Sequence, residues 1–119
     1  MAKLLVNLSS GKDNIDKATV AFVVANAGIA GGQETAVFLT VEAVLLAQQG
    51  FADDIHAAGF KPLKELLDSF VAGGGMIWVC PPCATVRSVT EDKLIPGAVL
   101  AGGARLVEFL SQGAGSVSY

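Results

Sequence analysis

Short apolar runs recur along this chain, each passing through a turn into a stretch of helical spacing, and that alternation restricts the fold more than any other feature. Lys3-Leu4-Leu5-Val6-Asn7-Leu8 is apolar almost throughout, as expected of a parallel strand covered on both faces. Ser9-Ser10-Gly11 turn the chain, Asp13 or Asn14 offers an N-cap oxygen, and Asp16 suits the first turn of a helix. Ile15, Ala18, Thr19, Phe22 and Val23 then recur at helical spacing. Apolar residues continue around most of the circumference, so this helix is expected to pack on two sides. Gly28, and then Gly31-Gly32, read as its end.

The pattern continues downstream. Glu34–Thr40 reads as a second strand and Val41–Gln48 as a helix stopped by Gly50. Phe51–Lys61 reads as an irregular loop holding the only histidine, His56, with Gly59 and Pro62 as breakers. Pro62 suits the start of a helix carrying Leu63, Leu66, Leu67 and Phe70. After Gly73-Gly74-Gly75 a third strand is expected from Met76 to Cys80. Ser88–Pro96 reads as a turn region and Ala98–Ala101 as a fourth strand. A helix with Leu106, Val107, Phe109 and Leu110 follows Gly102-Gly103, and Ser116–Tyr119 adds a fifth strand. Strands alternating with helices predict a mainly parallel sheet of about five strands between helical layers. The expectation is one α/β domain over residues 1–119, a length that suits a single core.

Composition bounds the function. Hydrophobic residues make up 52% of the chain and charged ones 16%, more apolar surface than one small core hides, which predicts a homo-oligomer. The longest apolar stretch, Ala18–Ala30, is interrupted by Asn26 and Gly28 and falls short of the ~20 residues that span a bilayer. No signal peptide is read at the start, so a cytoplasmic location is expected. The net charge is −3 and the basic residues are dispersed, against a nucleic-acid footprint.

The only two cysteines, Cys80 and Cys83, stand in Trp78-Val79-Cys80-Pro81-Pro82-Cys83 where the third strand hands over to a helix. Carboxyl ends of parallel strands are where ligands bind in such sheets. A thiolate there is favoured by free backbone N–H groups, and two thiols three apart can resolve a persulfide or close a disulfide. Pro81 and Pro82 carry no N–H and stiffen the turn. Arg87, four residues beyond Cys83, places a fixed positive charge on the same helix face. The plain alternative is two buried cysteines acting as small hydrophobes. One CxxC does not complete a tetrahedral zinc site, even with His56 as a third ligand, unless the metal bridges subunits. Asp53, Asp54 and His56 offer an acid–base or metal cluster only if the loop gathers them; a solvated loop is the simpler reading. Thioredoxin-type sites place tryptophan directly beside the first cysteine, after an early strand, whereas Val79 intervenes here and two strand–helix units come first. The glycine pairs match no phosphate-binding signature, and one histidine without a nucleophile elbow supports no hydrolytic triad. No resident cofactor or metal is read from these motifs.

The Leu4–Leu8 strand with its Ser9-Ser10-Gly11 turn, Phe38-Leu39-Thr40, Val79-Cys80 followed by Arg87, and Ala98–Gly102 with Ser116-Val117-Ser118-Tyr119 together resemble the DsrE/DsrF-like sulfur-relay family, which includes TusD- and YchN-like members. The resemblance implies a three-layer α/β/α sandwich assembled as trimers or hexamers. It also implies a cysteine at the position of Cys80 that accepts sulfur as a persulfide from a donor protein and yields it to an acceptor protein. Cys83 has a counterpart in YchN-like members and none in TusD. The function expected is therefore a sulfur carrier using Cys80, with Cys83 resolving and with Arg87 and the helix start lowering the Cys80 pKa. Two other readings fit the same residues: a structural or interaction subunit, and a CxxC dithiol redox switch.

Overall fold

A computed structural model describes residues 2–119. Lys3–Leu8 (β1), Glu34–Leu39 (β2), Met76–Val79 (β3), Ala98–Leu100 (β4) and Gly115–Ser118 (β5) form one sheet in the order β4-β3-β2-β1-β5. Every neighbouring pair is parallel. The helices are Ile15–Ala30 (α1), Leu63–Ala72 (α2), Pro81–Val86 (α3) and Gly103–Ser111 (α4), with 3₁₀ turns at Lys12–Asn14, Val41–Ala47 and Glu91–Lys93.

Alternation along the strands sorts the apolar residues onto two faces. Val6 pairs with Val37, Val37 with Ile77, and Leu39 with Val79. These rows meet Ala18, Phe22 and Ala25 of α1 and Leu63, Leu67 and Phe70 of α2 in the larger core. Phe22 and Phe70 close it edge to face, centroids 5.9 Å apart. On the other face Leu5, Ala36, Phe38 and Trp78 pack beneath Phe109 of α4, and the Trp78 and Phe109 rings meet nearly perpendicular at 5.1 Å. The chain is thus an α/β/α sandwich, one of whose outer layers is α4 alone.

Helix α1 does pack on two sides: against β1 and β2, and against α2, where the Asn26 amide donates to the carbonyls of Phe22 and Leu66. Of the two candidate caps, Asn14 serves, its side-chain oxygen accepting from Lys17 N–H. Gly28 does not end the helix. It lies within it, buried, where a Cβ would stand 2.6 Å from Thr35 Oγ1 and 2.8 Å from a Leu4 methyl. The absence of a side chain lets the helix settle onto the sheet, and the end comes at Gly31-Gly32, with Gly32 at φ +76°.

The helix expected after β2 is a 3₁₀ helix over Val41–Ala47, long for that form. Thr40 N–H still pairs with the Leu8 carbonyl, so the chain leaves the sheet abruptly and buries Ala43, Val44, Leu46 and Ala47 at once. Loop 51–61 forms turns that bury Ala52, Ile55 and Ala57. The fourth and fifth strands fall within a residue of their expected limits.

Candidate functional site

The carboxyl ends of the strands form one rim, and β3 delivers Cys80 to its middle. Cys80 N–H donates to the Leu39 carbonyl at 3.0 Å, and Ala101 N–H donates to the Val79 carbonyl at 3.1 Å. The residue is thereby pinned between the ends of β2 and β4. Cys80 is the N-cap residue of α3, with Pro81 and Pro82 at its first two helical positions. Both cysteines are free and half-buried. The reversal of strand order lies elsewhere, between β1 and β5, and there Ser9 N–H and hydroxyl both donate to the Tyr119 carbonyl.

The two thiols differ. Burial pushes Cys80 up from the ordinary range, and the neighbouring Cys83 adds to the rise through its side chain and its charge. The Cys83 N–H opposes this by donating to the Cys80 sulfur; Pro81 and Pro82 have no N–H to offer. Cys83 is held down, first by the Val41 backbone N–H, then by its hydrogen bond with Cys80, and to a lesser extent by the charge of Arg87. The helix start does favour the Cys80 thiolate, through the Cys83 N–H, but burial outweighs it, and the charge of Arg87 bears on Cys83 instead.

Arg87 sits at the carboxyl end of α3 and turns back along it. Its Nη1 donates to the Cys83 carbonyl at 3.2 Å and its Nε to Glu42 Oε1 at 3.0 Å. It thus ties α3 to the Val41–Ala47 segment, a mechanical role in addition to its charge. The following residue, Ser88, takes φ +57°; Ser88 N–H caps Thr85 and Val89 N–H caps Ala84, closing the helix.

The residues of the histidine loop are not gathered. His56 Nε2 meets the Phe60 carbonyl at 2.6 Å, and Asp54 pairs with Lys12 at 3.2 Å. Among the described residues no group of three or more histidine, cysteine, aspartate or glutamate side chains is placed to hold a metal. Two site residues were beyond sequence reasoning. Glu42 is recognisable only once Arg87 is seen across from it, and no local signal marks Val41, a branched residue at φ +53°.

The fold has close relatives of known structure. The YchN protein of E. coli superposes with a TM-score of 0.82 at 16% identity, covering 100% of both chains. A protein of unknown function from Methanobacterium thermoautotrophicum gives 0.78 at 10% identity, again over 100% of both chains. At these identities the likeness establishes the fold. In sequence, an uncharacterized protein of Methanocaldococcus jannaschii is 26% identical over 92% of this chain, which spans only 40% of that relative's length. One of Methanopyrus kandleri is also 26% identical, over 92% of this chain and 87% of its own. The family model of the DsrE/DsrF-like family matches residues 2–118, and the chain belongs to that family.

Proposed function

We propose that the chain accepts sulfane sulfur on Cys80 and passes it on, with Cys83 as base and resolving thiol. The observation that supports this most is the placement of two free, half-buried thiols together where β3 passes into α3, with burial raising Cys80 and the backbone and its neighbour lowering Cys83. Membership of a family of the sulfur-relay type agrees with it.

As Cys80 Sγ attacks the outer sulfur of a donor persulfide, its proton passes to Cys83 Sγ. A bond forms between Cys80 Sγ and the transferred sulfur, the donor's S–S bond breaks, and the donor leaves as a thiolate. No oxidant is consumed. A nucleophile on the acceptor then attacks the outer sulfur and returns Cys80 as thiolate. If Cys83 loses its proton first, it attacks Cys80 Sγ instead, expelling hydrosulfide and leaving a Cys80–Cys83 disulfide that an external thiol must reduce. Arg87 positions α3 for both steps. The partners are a sulfur-donor protein, an acceptor protein and further copies of this chain in a trimer or hexamer, working in the cytoplasm, where thiols stay reduced. Oligomerisation is supported by the apolar residues left exposed beside the thin outer layer: Val99, Val107 and Leu110.

The test is peptide mass spectrometry after incubation with a persulfide donor. Wild type gains one sulfur atom on Cys80; Cys83→Ser loads more slowly, having lost its base, but retains the sulfur longer. No added sulfur on Cys80 in either protein sinks the proposal. The adjacency of two free thiols of unequal acidity also supports a dithiol switch, for which a reversible Cys80–Cys83 disulfide would form in glutathione buffers without any sulfur donor.

A further inference from the structure

The helix that carries Cys83 is weakly anchored by apolar contact. Of the six residues of α3 only Ala84 is buried, and Val86 is 75% exposed. A helix this short has little stability of its own, so its placement depends on what holds it from outside. The Arg87 N–H, which a continuing α-helix would direct at the Cys83 carbonyl, goes instead to the Ala84 carbonyl at 3.1 Å. The Arg87 side chain supplies the missing donor, its Nη1 reaching back to the Cys83 carbonyl at 3.2 Å.

Another edge of the same guanidinium is held from across the rim. Its Nε donates to Glu42 Oε1 at 3.0 Å, between residues 45 positions apart. Glu42 is itself fixed. Its carbonyl lies so close to Gly11 that a Cβ there would stand 2.8 Å from the oxygen, and Ala43 and Val44 beside it are wholly buried. A chain of contacts therefore runs from the Gly11 turn through Glu42 and Arg87 to the peptide that carries Cys83. Cys80 is fixed separately, by its N–H on the Leu39 carbonyl at 3.0 Å. Both thiols are thus referred to the end of β2, one through the sheet and one through the guanidinium.

We propose that Glu42 is a positioning residue of the dithiol, which by holding Arg87 keeps the Cys83 turn of α3 set for a bond to Cys80. This rests on the reading of Cys83 as the resolving thiol, and it names what governs how readily Cys83 resolves. Joining Cys80 Sγ to Cys83 Sγ releases two protons and two electrons. In a glutathione buffer the electrons go to glutathione disulfide, whose S–S bond breaks to give two thiols. A dithiol already held in place gives up little freedom on closing. Without Glu42 the reduced form gains freedom that the disulfide denies it, so the disulfide becomes easier to reduce.

The experiment equilibrates the chain in glutathione buffers, alkylates the free thiols and reads the Cys80–Cys83 disulfide by peptide mass spectrometry. In Glu42→Ala the midpoint, taken as glutathione squared over glutathione disulfide, is expected to fall about threefold, the scale of a partly exposed ion pair. Glu42→Gln keeps an oxygen for Arg87 Nε without the charge, and shifts the midpoint by less than half as much. Arg87→Ala also lowers the midpoint, and adding Glu42→Ala to it lowers it no further. An unmoved midpoint in Glu42→Ala, even with a lower melting temperature, overturns the proposal. So does a glutamine variant shifted as far as the alanine one, or a double variant in which the two shifts add. A wild type that forms no disulfide at any glutathione ratio overturns the resolving reading together with this proposal, whereas an unmoved midpoint overturns this proposal alone. No sulfur donor is used, so a failure to load sulfur on Cys80 leaves the Glu42 shift standing.

Discussion

Cys80 and Cys83 are the same residue type three positions apart, and their difference comes from what lies around each sulfur. Cys80 is packed between both cores of the sandwich, where burial outweighs the Cys83 N–H that favours its thiolate. Cys83 faces the Val41 N–H, with Arg87 near. The sign follows directly. A thiol held below its ordinary value keeps more thiolate as the pH falls, and one pushed above it loses thiolate first. Iodoacetamide at pH values below the ordinary thiol pKa of about 8.5 should therefore modify Cys83 ahead of Cys80, and peptide mapping of a short pulse checks the order. Equal rates, or Cys80 first, would contradict the assignment. Gly28 makes a second prediction at this scale. Alanine is the better helix former, yet Gly28→Ala should destabilise the fold by about 1–3 kcal/mol, because a Cβ there overpacks against Thr35 and Leu4. Chemical denaturation measures it. The sequence marks this glycine as a helix breaker; only the packing of α1 on the sheet reveals why it stays inside the helix.

At the scale of the element, helix ends and strand ends obey local rules that are legible in advance. Asn14 caps α1, glycines at positive φ follow α1 and α2, and Pro81-Pro82 open α3. The exception is the end of α3, where Ser88 occupies the left-handed position that glycine fills elsewhere. Ser88→Gly should raise stability by about 0.5–1 kcal/mol, the relief of left-handed strain less the added backbone entropy. Thermal unfolding reads it, and a lower melting temperature would show that the Ser88 side chain does more than tolerate its conformation. The segment Val41–Ala47 is the other departure. Its apolar pattern fits an α-helix or a 3₁₀ helix equally well, and burial immediately after β2 decides for the tighter form.

At the scale of the whole molecule, the two faces of the sheet are covered unequally. One carries α1, α2 and the 41–47 segment; the other carries only the nine-residue α4, beside which Val99, Val107 and Leu110 remain exposed. Light scattering should give a multiple of the 12.1 kDa chain mass, three or six copies, and Val107→Asp combined with Leu110→Asp should reduce it to one. A monomeric wild type would refute the assembly. The alternation of apolar runs and helical spacing, with its glycine and proline punctuation, determined on its own the parallel sheet, the helices that cover it and the place of Cys80 at a strand's end. Those are consequences of local periodicity, which each segment carries within itself. Which thiol is the more acidic and what Arg87 holds were decided only in the tertiary structure. Each depends on bringing the end of β2 against α3, residues some forty positions apart whose contact no local pattern encodes.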